Sequence, residues 1–181
     1  MMQAKEAPLQ ITAEMVKQLR QKTSAGIMDC KEALTKTSGD IEKAYEILRA
    51  KGFAEAEKKS QRTANQGLVE AYVHPEGRLG ALVEINCESD FVARTAEFKE
   101  LAHDLAMQVV ATNPRFLKRE DIPPGSEAND EDCLLLQPFI KDPGRIVQDI
   151  ISEAISKVRE NIRIKRFVRF ELGLDGQNAQ S

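Results

Sequence analysis

Apolar residues in the first fifty positions recur at helical spacing in three short bursts. Thr12 stands as an N-cap with Ile11 and Val16 placed across it as a hydrophobic staple, and Val16 and Leu19 continue the stripe. Ser24-Ala25-Gly26 breaks this helix, and Ile27, Cys30, Ala33 and Leu34 predict a second one, closed by Ser38-Gly39. Asp40 then caps a third, whose Ile41, Ala44, Tyr45 and Leu48 follow the i, i+3, i+4, i+7 pattern of one buried face. Gly52 fits the left-handed residue that follows a helix end. Residues 11–53 therefore predict a three-helix bundle, too small to hold a catalytic cleft comfortably. Residues 54–66 are polar and carry no apolar stripe, so they read as a linker, helical or extended.

Beyond this linker the period changes from helical to two. Val69, Ala71 and Val73 alternate with Glu70, Tyr72 and His74; Pro75-Glu76-Gly77 supplies a turn; Leu79, Ala81, Val83 and Ile85 alternate again. That is a β-hairpin. From Thr95 to Ala111, Phe98, Leu101, Ala102, Leu105 and Val109 share one helical face, and Asn113-Pro114 stops the helix. Residues 121–133 are acidic and rich in turn formers, and read as a loop. Asp142 or Pro143 is expected to open a further helix with Ile146, Val147, Ile150, Ile151, Ala154, Ile155 and Val158 inward. Ile162, Ile164, Val168, Phe170 and Leu172 predict a strand with an irregular step near Arg166-Phe167, and this reading puts Phe170 in the core register. The sum is an α+β chain: a flexible arm (1–10), three helices (11–53), a linker (54–66), a core of three-stranded, mostly antiparallel sheet covered by helices (67–173), and a tail (174–181).

Composition narrows the function classes. The formal net charge is −3 although 30% of residues are charged, so no basic excess calls for nucleic acid. The basic set Lys157, Arg159, Arg163, Lys165, Arg166 and Arg169 is interleaved with Glu153, Glu160 and Glu171, which reads as a charge-mixed strand rather than an RNA face. No apolar run is long enough to span a bilayer, and no targeting segment is visible, so the expected location is the cytoplasm. The three cysteines (Cys30, Cys87, Cys133) form no CxxC pair, and His74 and His103 are the two histidines. This favours reduced, buried thiols and no metal. Cys87, His74 and Asp90 do not make a nucleophilic site, because Cys87 and His74 fall near opposite ends of the hairpin strands. Gly77 and Gly80 lead into no helix, so no phosphate loop and no direct nucleotide binding are expected. Neither enzymatic activity nor a cofactor is expected.

The most informative stretch is Asn86-Cys87-Glu88-Ser89-Asp90-Phe91-Val92-Ala93-Arg94, where an aromatic and a valine occupy a connection. The residues alone leave two readings: Phe91 folds back over the core, or it stands free for a partner.

Four stretches, in order, carry a resemblance. Ile11–Leu34, Leu82–Arg94 with its Asp-Phe-Val-Ala centre, Gln137–Asp142 and Glu160–Gly173 resemble the signatures of the elongation factor Ts family. The resemblance implies a ubiquitin-associated-like first domain and a guanine-nucleotide exchange factor for the GTPase elongation factor Tu. It implies docking through Lys17, Arg20, Ile27, Met28 and Lys31. It also implies a wedge at Asp90 and Phe91, followed by Val92 and Ala93, that is driven close to the site of Mg²⁺ and the GDP β-phosphate. Tyr72-Val73-His74 resembles a Tyr-x-His pattern that longer members carry in a second core copy. With both patterns in one core, the resemblance implies a homodimer joined through the sheet. The remaining readings are an interaction module for another protein and an RNA- or ribosome-associated protein. The chain departs from the family pattern in four places. The segment at 121–136 is short where members usually carry a coiled-coil insertion. Arg159 stands for a common Gly, Ile27 for a frequent Met and Gln108 for a frequent His.

Overall fold

A computed structural model describes residues 11–23 and 25–173; the expected arm and tail lie outside the described residues. The chain divides into two compact units, the first ending at Glu55 and the second starting at Ala56.

The first unit is helical. α1 (Ala13–Thr23), α2 (Ile27–Lys36) and α3 (Ile41–Ser60) bury Leu19, Cys30, Ala33, Leu34, Ala44 and Leu48 against one another. The local signals at its helix starts act as read. Thr12 Oγ1 accepts the Met15 N–H (3.2 Å), and Asp40 Oδ1 accepts the Lys43 N–H (3.0 Å). That backbone bond, with the Lys43 ammonium, holds the Asp40 carboxyl below its ordinary range. Lys51 reaches Asp29 (2.5 Å), which ties α3 to α2 and raises the lysine's pKa through the hydrogen bond to that carboxylate. Gly52 is not a helix end. α3 runs through it to Ser60 and takes in half of the expected linker. A glycine inside a helix costs about 1 kcal/mol, and neighbouring packing offsets it: Arg49 lies over the Phe53 ring (5.5 Å), and Ala56 packs on the core of the second unit.

The second unit is an α+β core. β1 (Gln66–Val73) and β2 (Leu79–Cys87) form the expected hairpin, and β5 (Ile162–Glu171) pairs with β2, giving the antiparallel order β1-β2-β5. Between them come α4 (Asp90–Ala93), α5 (Ala96–Thr112), the short pair β3 (Pro138–Phe139) and β4 (Asp142–Ile146), and α6 (Val147–Val158). α5 covers one sheet face, on which Ala81, Val83, Ile85, Ile162 and Ile164 meet Phe98, Ala102, Leu105 and Val109. The helix expected from Asp142 starts five residues later. Pro143-Gly144 lie in β4, and Asp149 Oδ2 accepts the Ile146 N–H (3.1 Å) to open α6. Gln108, buried on α5, anchors this region: its Oε1 accepts the Ile140 N–H (2.8 Å) and its Nε2 donates to the Pro138 carbonyl (3.1 Å). The short segment after Ile122 is pinned as well, since Leu134 N–H bonds Phe116 O and Leu135 N–H bonds Leu117 O.

The irregular step in β5 has a consequence for the face that each residue takes. Ile85 pairs with Ile164 but Glu84 with Arg166, so Lys165 is the extra residue, one position before the expected step. Such a bulge reverses the in–out alternation beyond it. Phe167 and Arg169 point inward, the latter donating to Val110 O (3.2 Å), whereas Phe170 is 64% exposed on the other face, contrary to the core register read for it. That outer face carries Val69, Val73, Leu82 and Phe170, with Leu172 beside them, all exposed. A sheet with one solvated face ordinarily alternates to polar residues there; this one does not.

Candidate functional site

The connection after β2 ends in a single turn of helix that buries one side and offers the other. Val92 and Ala93 face β1 and β2 and are buried, while Phe91 on the opposite side is 78% exposed. Of the two readings left by the residues, the folded-back ring is therefore excluded. Asp90 is exposed beside it and pairs with Arg94 (2.7 Å) across one turn.

Four residues cannot hold a helical turn by themselves, and the bonds that hold this one come from far along the chain. Ser89 is the N-cap: its Oγ accepts the Val92 N–H (3.3 Å). Ser89 in turn gives its N–H to Glu160 Oε2 (2.9 Å) and its hydroxyl to Glu160 Oε1 (2.6 Å). Next to it, Glu88 Oε1 accepts the Asn161 N–H (2.6 Å) and lies 3.5 Å from the Arg62 guanidinium. Asn161, 2% exposed, uses its side-chain amide on Ser60 O (3.3 Å) and Arg62 O (2.9 Å). The Cys87 thiol donates to Ser89 O (3.1 Å), and burial, aided by the Glu160 charge, pushes its pKa up. It is a packed structural thiol rather than a nucleophile. At the far end of the turn Thr95 caps α5 through the Phe98 N–H (3.2 Å).

Tyr72 and His74 lie elsewhere. They belong to the turn end of the hairpin, whereas Gln66 and Cys87 mark the end that bears Phe91. At about 3.3 Å per residue the two ends are roughly 20 Å apart. Tyr72 is half-buried, edge-on to His103 (5.5 Å), whose Nδ1 approaches Glu70 (3.1 Å). His74 is half-buried, and its backbone closes the turn through Leu79 O and Gly77 N–H.

In the helical unit Lys17 and Arg20 are exposed on one side of α1. Ile27, Met28 and Lys31 are exposed on the first turns of α2, with Met28 at 74%. Ile27 and Met28 are thus two large apolar side chains left in water at one helix start. Among the basic residues of the last strand region, Lys157, Arg166 and Arg169 are paired with Glu153, Glu84 and Glu171, and Arg163 donates to Ala64 O. No group of three or more metal-binding side chains occurs among the described residues, and no described helix is long and apolar enough to cross a membrane.

The roles of Glu160 and Asn161 were out of reach of sequence reasoning, although both fall inside a matched stretch. Their partners lie 71 and 73 residues away, and a polar pair at a helix–strand junction has no period to reveal it.

Comparison with known proteins bears on the whole arrangement. A sequence model described as Elongation factor TS matches residues 2–130. Elongation factor Ts of Carboxydothermus hydrogenoformans is 50% identical, with 90% of this chain and 89% of that protein covered. Those of Caldanaerobacter subterraneus and Syntrophomonas wolfei are each 47% identical, covering 90% of this chain and 97% and 91% of their own length. The alignments run over 194 positions, more than the 181 residues of this chain, so the relatives carry residues that it lacks. With the α+β fold and an Asp-Phe turn standing out from its sheet, these likenesses lead to one conclusion: the chain belongs to the elongation factor Ts family.

Proposed function

We propose that this chain is a guanine-nucleotide exchange factor that binds elongation factor Tu·GDP in the cytoplasm and promotes GDP release during translation elongation. The observation that carries the mechanism is the exposure of Phe91 on a turn whose other side is buried. A phenyl ring buries about 150–250 Å², worth about 4–6 kcal/mol at roughly 25 cal/mol per Å². Most of that area is still in water here, so it is available to displace helices of the GTPase near its Mg²⁺ and β-phosphate site. Loss of Mg²⁺ removes the largest local charge from beneath the phosphates. Coupling is reciprocal: the factor by which the bound protein weakens GDP is the factor by which GDP weakens the bound protein. No acid, base or nucleophile is required, so the chain acts as a binding protein and not as an enzyme, and it holds no nucleotide itself.

Lys17, Arg20, Ile27, Met28 and Lys31 form the docking surface of the helical unit. Tyr72 and His74 form a second contact, made with another domain of the GTPase. Their position at the opposite end of the sheet from Phe91 supports a division of labour between two copies, one giving its wedge and the other its Tyr-x-His end. The apolar outer face of β1-β2-β5 supports that homodimer, since Val69, Leu82 and Phe170 lose their exposure when two such faces meet.

The test is release of a fluorescent GDP from elongation factor Tu. The wild-type chain accelerates release, and Phe91→Ala, at an interface anchor worth about 2 kcal/mol or more, slows the maximal rate about 30-fold. No acceleration by the folded wild type sinks the exchange reading and leaves the interaction-module alternative.

A further inference from the structure

We propose that Glu160 is a positioning residue for exchange: its carboxylate clamps Ser89 and so holds the Phe91 turn in the pose that enters the GTPase. This rests on the wedge reading above.

A wedge works only if its base resists. Phe91 stands on a four-residue turn, and a turn of that length is not stable alone. Burial of Val92 and Ala93 against the sheet holds one side of it, and a second hold reaches its N-cap, Ser89. Glu160 takes both the N–H and the O–H of Ser89, one on each carboxylate oxygen. With its hydroxyl hydrogen spent on the carboxylate, Ser89 Oγ keeps a lone pair for the Val92 N–H. Orientation therefore passes from Glu160 through one side chain to the helical turn, with charge-assisted bonds at its source. The base of the clamp is fixed in the same way, because the next residue, Asn161, binds Glu88 and the carbonyls of Ser60 and Arg62. Glu160 itself is half-buried with both oxygens engaged, so its effect on a partner is exerted through Ser89. A tip ordered before the encounter avoids the cost of ordering it during the encounter, and this difference appears in the maximal rate rather than in docking.

The experiment measures fluorescent GDP release from elongation factor Tu against the concentration of the full chain, for wild type, Glu160→Ala, Phe91→Ala and the double variant. Loss of bonds to a charged group predicts a maximal rate about tenfold lower for Glu160→Ala. The half-saturating concentration is expected to change less than about threefold, because the exposed docking residues are untouched. In the Phe91→Ala background the same substitution is expected to change nothing, since it acts through that ring. Equal slowing in both backgrounds, or an unchanged rate while Phe91→Ala is slow, overturns the inference and leaves the wedge standing. Phe91→Ala as fast as wild type overturns the wedge itself, and the inference with it. If Glu160→Ala melts early, Ser89→Ala serves in its place: it deletes the hydroxyl relay, keeps the N–H to Glu160, and must show the same cancellation against Phe91→Ala.

Discussion

Arg159 ends α6 with φ 60° and ψ 18°, in the left-handed region. Its N–H reaches Ile155 O (2.9 Å) and so satisfies one of the orphan carbonyls of the last turn. The conformation is required by the sharp change from helix to strand that puts Glu160 opposite Ser89. For a residue with a Cβ it costs about 1–2 kcal/mol. Glycine removes that cost but gains freedom in the unfolded chain, which returns about 0.5–1 kcal/mol. The side chain adds nothing to the balance, being exposed and without a hydrogen bond or ion pair among the described residues. Arg159→Gly is therefore expected to stabilise the protein by about 0.5–1 kcal/mol. Urea unfolding followed by far-ultraviolet circular dichroism reads this as a higher midpoint at unchanged slope. Arg159→Ala is the control, because it keeps the Cβ and loses the guanidinium, and it should move stability by less than about 0.5 kcal/mol. A destabilised glycine variant, or an alanine variant that matches it, refutes the backbone argument.

Two further outcomes follow from the sheet. Gly67 holds φ 143°, and a Cβ there would lie 2.1 Å from Ile85 O, so Gly67→Ala should cost about 3 kcal/mol and lower the urea midpoint sharply; a loss below about 1 kcal/mol would show that the two strands part easily at this point. Phe170→Glu puts a charge in the middle of the exposed apolar face, and sedimentation equilibrium at micromolar concentration should then give the monomer mass where wild type gives the dimer. A variant that keeps the dimer mass, or a monomeric wild type, removes this face as the interface.

What could be read from the sequence was what is local. Thr12 and Asp40 cap their helices because a cap is decided within three residues, and the hairpin follows from alternation and one turn. The structure departs from the sequence pattern where a local preference meets distant packing. Gly52 is a helix breaker by propensity, yet Phe53 and Ala56 find partners that carry α3 past it. Ile146-Val147 continues the apolar run of α6 without a gap, so periodicity could not place the boundary that Pro143-Gly144 imposes. Phe170 takes the outer face because one extra residue, Lys165, inverts every later position, whereas the strand pattern Ile162, Ile164, Val168, Phe170 and Leu172 carries a period of two straight through the irregular step. At the candidate site, the peculiarity of Asp90-Phe91 was visible in the chain, but its exposure and its tie to Glu160 depend on segments that meet only in three dimensions.

The clamp on the Phe91 turn also sets an order of events during synthesis. The helical unit is made of segments close in the chain, whose contacts can form as soon as those residues leave the ribosome. The tip is different: its cap waits for Glu160 and Asn161, and the sheet under it waits for β5, which ends at Glu171. On the exchange reading proposed above, a growing chain would thus carry the helical unit before its tip is braced. With its brace supplied by β5 and the residues just before it, the Phe91 turn is set only after a stretch of chain some seventy residues downstream has been made.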